Sequence, residues 1–312
     1  MLAKRRKYGQ NTLTASGKGR TLRLSTKYVG APKLCRRKRF VTLADFSVRI
    51  GGNMEIVICV LSAILGLCVG SFLNVVIYRV PLGMSIAMPP SHCPKCGYRL
   101  KWYDNIPVLS YVILGGKCRS CKQPIGVRYT LVELLNMLLW LLCALSFADN
   151  IFYLVVCCLV CSTLVAVTFI DLEHMLIFDR FQIILAVLGV AAIFADPSVV
   201  WWGRLVGGAA GDLLFFAFYG VAYLIYRKEG LGFGDVILAA VCGLFLGWQR
   251  LIVMVLVASL TGSIILLILK AVRKDEAQRE YPFAPFIALG TIVAMLCGDA
   301  LINWYLALCG LA

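Results

Sequence analysis

"EGLGFGDVILAAVCGLF", residues 229–245, sets one acid, Asp235, at the mouth of an otherwise apolar run, directly behind three glycines. An ionised side chain beside hydrocarbon is costly, and inside membrane segments such residues mark function. The fold therefore turns on whether this run crosses a membrane. It is one of eight apolar runs, at about 55–78, 130–147, 151–172, 176–195, 205–226, 233–248, 251–271 and 285–309. Many are near the ~20 residues that span a bilayer. The 312 residues are 61% hydrophobic and only 15% charged, where soluble domains average about 25% charged. The chain reads as an all-α polytopic membrane protein with about eight transmembrane helices. The fourth and sixth runs are the weakest. The fourth carries Asp179 and Arg180 near its start, and the sixth is short enough to be broken or half-inserted.

Charge divides the chain in two. Residues 1–53 hold 14 Lys/Arg and one acid, Asp45, whereas residues 54–312 hold 17 Lys/Arg and 15 acids. The formal net charge of +15 is thus a property of the first segment, and it argues for no nucleic-acid partner. That segment lacks apolar periodicity and reads as a disordered extension. No apolar stretch of a signal peptide follows its "KRRK". Met54 stands directly before the first apolar run. The expectation is that the working protein starts near Met54; the rival is a basic tail that touches anionic membrane lipid. The remainder divides into a first transmembrane helix (54–78), a loop domain (79–129) and a membrane core (130–312). With the loop after the first helix in the cytoplasm, fifteen basic residues fall on that side and two, Arg204 and Arg250, on the other. Lys/Arg bias sets orientation, so residues 79–129 are expected to be a cytoplasmic insertion.

That insertion contains "HCPKCGYRLKWYDNIPVLSYVILGGKCRSCKQPI", residues 92–125. Two C-x2-C turns, Cys93/Cys96 and Cys118/Cys121, are the knuckle pattern that closes a tetrahedral zinc site. Four thiolates leave no open position, so such a zinc is structural. Some 50 residues can hardly bury a core of their own, and a metal supplies the missing stability. Disulfides or free thiols are the other readings of the same cysteines; disulfides are disfavoured in the cytoplasm. The cysteines of the apolar runs need no role beyond that of small hydrophobes.

Asp235 asks for a partner, and "VTFIDLEHMLIFDR", residues 167–180, offers Asp171, Glu173 and Asp179. Asp171 ends the third run at the face where Asp235 begins the sixth. Two carboxylates in contact share a proton. Such a dyad activates a water with one member and protonates a leaving amine with the other. The bland alternative is that each acid only caps its helix. Glu173, Asp179 and His174 read as solvated loop groups, and Glu133 as a charge favoured at a helix N-terminus. Asp212 follows Gly207, Gly208 and Gly211, a pattern of tight helix packing.

Taken in order, "GSFLNVVIYRVP" (70–81), the cysteine loop (93–133), "IDLEHMLIFD" (170–179) and "GFGD" (232–235) resemble the type IV prepilin leader peptidases, or prepilin peptidase/N-methyltransferases. The resemblance implies an integral membrane aspartyl protease of the GxGD type in the bacterial cytoplasmic (inner) membrane. It implies that Asp171 and Asp235 are the catalytic pair. It further implies cleavage of a basic leader from pilin-like or pseudopilin precursors of type IV pili or type II secretion. S-adenosylmethionine would then serve to methylate the new N-terminus, and Cys93, Cys96, Cys118 and Cys121 would hold metal. No Gly-rich strand–helix unit of the Rossmann kind is present, and no residue declares itself as a cofactor contact. Two positions depart from the family pattern: Phe178 stands where proline is usual, and Ile237 where lysine is usual. The other readings are a GxGD protease with other clients, or a transporter or scaffold with a zinc docking loop. An ion carrier would place its acids at mid-membrane.

Overall fold

The computed structural model describes residues 53–227, 232–272 and 281–310. The expectations for the basic tail, for Lys228 and Gly230, and for most of the charged loop after Lys270 lie outside these residues. Nine α-helices are described: α1 (Asn53–Arg79), α2 (Leu109–Ile113), α3 (Val127–Phe147), α4 (Ile151–His174), α5 (Asp179–Ala195), α6 (Trp201–Tyr226), α7 (Phe233–Leu246), α8 (Trp248–Val272) and α9 (Ala284–Leu308). Among the described residues there is no strand beyond two isolated β-bridges.

All eight expected runs are helices. Six of them (α1, α3, α4, α6, α8 and α9) are long and apolar enough to cross a membrane. The two weakest runs are the two short helices, α5 with 17 residues and α7 with 14. At 1.5 Å per residue α7 is only about 21 Å long, against a hydrocarbon core of about 30 Å.

α4 is the hub, with 72% of its apolar window buried, against 17–39% for the other long helices. It touches α1, α3, α5 and α9, while α1 lies along α3, α6 along α7, and α8 along α9. The α6–α7 pair shows why small residues recur there. A Cβ on Gly207 would stand 2.5 Å from the Gly243 carbonyl oxygen, and one on Gly211 2.7 Å from that of Ala239. Lipid offers no hydrophobic drive between helices, so backbone-to-backbone contact supplies the attraction. Gly247 then turns the chain from α7 into α8 at φ 83°, a conformation that favours glycine.

The alternation of helices sends Arg204 and Arg250 to one end of the bundle and Asp171 and Asp235 to the other. Arg204 bonds Asp196 at 3.0 Å and also donates to the Phe245 carbonyl. Arg250 is bidentate to Asp299 at 2.8 and 2.9 Å and lies 3.6 Å from Asp196. The two basic residues expected on the outer side are therefore buried in ion pairs rather than free in loops.

Candidate active site

Asp171 lies in the last turn of α4, where Met175 caps the helix in the left-handed region and its N–H bonds the Asp171 carbonyl at 2.9 Å. Its carboxylate is buried, and Oδ2 accepts the backbone N–H of Ala284 at 3.2 Å. That N–H opens α9, so Asp171 faces the positive end of a helix dipole. Asp235 lies in the first turn of α7, also buried. Its Oδ1 has no hydrogen-bond partner among the described residues. Asp171 and Asp235 lie near enough to act on each other electrostatically. The two acids singled out in the sequence thus stand buried at the same end of the bundle, within electrostatic reach and carried by different helices.

Two contacts fix Asp235 through its backbone. Gln182, buried on α5, donates from Nε2 to the Gly234 carbonyl at 2.9 Å. A Cβ on Gly234 would meet Cβ of Ile177 at 3.1 Å, so glycine lets the α4–α5 connection press against the start of α7. Gln182 was not visible as a site residue, because an amide inside an apolar run carries no motif. The two departures from the family pattern sit without disruption. Phe178 takes φ −85°, close to the ~−65° that proline enforces. Ile237 joins the edge of the hydrophobic core.

The remaining acids sort as follows. Asp179 and His174 are exposed, and Glu173 pairs with Arg128. Asp212 is exposed beside the close α6–α7 contact, and Asp299 belongs to the distant ion-pair cluster. Glu133 departs from the expectation of a helix-start charge. α3 begins at Val127, so Glu133 falls in its second turn. It is buried and accepts the Val108 N–H at 2.8 Å, which ties the insertion to the bundle.

The insertion presents four sulfurs to one point. Those of Cys93, Cys96, Cys118 and Cys121 all lie within 4.8 Å of one another. Cys93–Cys121 and Cys96–Cys118 are separated by 3.9 and 4.0 Å. A Zn–S bond of about 2.3 Å implies tetrahedral S–S edges of about 3.8 Å, whereas a disulfide needs about 2.05 Å. The set fits a metal and is not two disulfides. The knuckles share one backbone design: the Cys93 N–H bonds the Tyr98 carbonyl as the Cys118 N–H bonds that of Gln123, at 2.9 and 2.8 Å. Each turn holds a left-handed residue four positions after its first cysteine, Gly97 and Lys122. Backbone N–H groups of Cys121 and Ser120 pull the Cys118 thiol down to about 7, which favours a thiolate ligand. Asp104 bridges the knuckles, bonded by Arg119 at 2.8 Å and Tyr98 at 3.5 Å.

A helical membrane bundle with paired acids at one end and a four-cysteine insertion beside them is the class that this geometry defines. Two family profiles match the chain: "Bacterial Peptidase A24 N-terminal domain" over residues 64–147 and "Type IV leader peptidase family" over residues 158–267. Curated relatives carry the name prepilin leader peptidase/N-methyltransferase. The one from Aeromonas hydrophila is 34% identical over 77% of this chain and 91% of its own length. That from Pseudomonas aeruginosa is 35% identical over 82% and 96%. The protein of Myxococcus xanthus is 43% identical over 65% of this chain, which spans 60% of that relative. No solved structure matches. The chain belongs to the type IV leader peptidase family, and it is an enzyme, a membrane peptidase.

Proposed function

We propose that this enzyme cuts the basic leader from pilin-like or pseudopilin precursors at the cytoplasmic face of the bacterial inner membrane, with Asp171 and Asp235 as its dyad. The observation that carries the reading is two buried carboxylates from α4 and α7, at one end of the bundle and within electrostatic reach, one of them with an unpartnered oxygen. Asp171, at the positive end of α9, is the member that holds the negative charge and takes a proton from water. Asp235 holds the shared proton and gives it to the leaving amine. The names of the relatives support the substrate class. The cytoplasmic orientation rests on the Lys/Arg bias, which the burial of Arg204 and Arg250 sharpens. A basic leader stays on that side while the apolar segment of the precursor lies in the bilayer, so the scissile bond falls at the depth of the dyad.

The four cysteines hold one structural zinc in this reading, which keeps the 80–126 insertion folded against α1 and α3. The relatives' names also support N-methylation of the new N-terminus, for which S-adenosylmethionine supplies the methyl group. The test is mass spectrometry of a pilin-like precursor incubated with membranes holding the wild type or Asp171→Asn. The wild type should yield a leaderless product heavier by one methyl on its first residue, and Asp171→Asn should yield uncut precursor. Cleavage by normally inserted Asp171→Asn would reject the dyad. For the zinc, metal analysis of the purified protein should give about one Zn per chain; cysteines found oxidised in pairs would overturn the assignment.

A further inference from the structure

The donor for the methylation step needs a place of its own, and a cleft of about 400 Å³ opens at the end of α4 that also carries Asp171. Its volume lies in the range of about 300–1,000 Å³ usual for small-molecule sites. The last turn of α4 contributes Glu173 and His174, the end of the insertion Gly126, the first turn of α3 Arg128 and Tyr129, and α1 contributes Tyr78. Arg128 and Glu173, 45 residues apart in the chain, are ion-paired here. The guanidinium also lies 5.1 Å from the centre of the Tyr129 ring. Tyr129 is fixed in turn, because Asn74 Nδ2 donates to its carbonyl at 2.9 Å.

We propose that this cleft is the S-adenosylmethionine site, with Arg128 and Glu173 gripping the amino acid end of the donor and a tyrosine ring facing its adenine. This assignment rests on the methyltransferase reading above. The amino acid end carries a carboxylate and an ammonium on one carbon. A cation and an anion held side by side are the matching receptor. A guanidinium has five N–H donors and a carboxylate two oxygens, so one bond between them leaves each able to take its share of the ligand. Both side chains of the pair are partly exposed, at 27% and 33%, and an exposed bridge contributes little stability. A flat tyrosine face accepts a purine by stacking. Glu173 and His174 share the last turn of α4 with Asp171, so an amine freed at the dyad has the end of α4 to round before it meets the methyl carbon.

The experiment is calorimetric titration of the purified full chain with S-adenosylhomocysteine and with 5′-methylthioadenosine, which lacks the amino acid end. Arg128→Ala and Glu173→Gln should each weaken S-adenosylhomocysteine about tenfold or more while changing 5′-methylthioadenosine by about twofold or less. If Arg128→Ala loses both ligands, Glu173→Gln decides, because glutamine keeps an acceptor for the Arg128 guanidinium while losing the charge that the ligand's ammonium needs. S-adenosylhomocysteine weakened about tenfold with 5′-methylthioadenosine kept supports the proposal; unchanged binding of both, or loss of both, overturns it. Variants that bind like a wild type that itself binds and methylates would move the donor elsewhere and leave the proposed function standing. A wild type that neither binds S-adenosylhomocysteine nor methylates a cleaved product would remove the methyltransferase reading itself.

Discussion

Gln182 holds the Gly234 carbonyl at 2.9 Å and so sets where the first turn of α7 begins. Asp235 follows by one residue. Gln182→Leu keeps the size of the side chain and removes the bond, so the carboxylate drifts. A misplacement of about 1 Å costs up to about 100-fold in rate. The cleavage rate of Gln182→Leu should fall by about ten- to 100-fold with insertion unchanged; a rate equal to wild type would show that Asp235 is positioned otherwise. Asp104 gives a prediction about pH. Burial alone would push its carboxyl up, but the bonds from Arg119 and the Lys101 N–H outweigh this and hold it below the ordinary value. A carboxyl lowered by folding lends stability above its unfolded pKa of about 3.9 and loses it as pH falls through the folded value. Limited proteolysis of the insertion should therefore speed up below about pH 4 and be insensitive to this group between pH 6 and 8. In Asp104→Asn this acid-dependent component should be absent. Both catalytic candidates were legible in the sequence because an acid beside an apolar run stands out. Gln182 was not, since only the three-dimensional approach of α5 to α7 gives an amide there a partner. Glu133 was misread because the start of α3 lies three residues before the apolar run, which moves the acid from the helix tip to the buried second turn.

Helix pairs carry the next level. All eight runs were legible from hydropathy, and the shortness of α5 and α7 was legible too. What could not be read was which helix touches which, because an apolar run looks alike on its lipid and protein faces. Only glycine spacing pointed to a contact, and there the sequence and the structure agree: Gly207 and Gly211 form the seam with α7. Gly207→Ala would bring a Cβ to 2.5 Å from the Gly243 oxygen and 2.7 Å from the Gly247 carbonyl carbon. Both neighbours are backbone and cannot swing aside. The helices must part, at a cost of about 1–3 kcal/mol. Thermal unfolding in detergent should register this loss, whereas Gly220→Ala, whose Cβ would meet nothing within 4 Å, serves as the control. Equal stability of the two variants would mean that the α6–α7 seam is looser than drawn.

Across the whole molecule, the charges sort to two ends with different duties. The end with Arg204, Arg250, Asp196 and Asp299 neutralises its own charges in bonded pairs. The end with Asp171 and Asp235 buries two acids within electrostatic reach of each other and leaves one oxygen unpartnered among the described residues. Beside it stands the cysteine insertion, tethered by Glu133 and touching, through Leu82 and Gly126 at its two ends, the cleft that Arg128 and Glu173 line. In the proposed function, the first end secures stability and the second carries the reaction. The most direct measurement of that division is the single-turnover cleavage rate of a membrane-inserted precursor by Asp171→Asn, Asp235→Asn and the double variant. Residues that act as one unit are non-additive: each single change should slow cleavage by about 1,000-fold or more, and the double should be little slower than either. Two single losses that multiply in the double, or either single variant cutting near the wild-type rate, would contradict a shared-proton dyad.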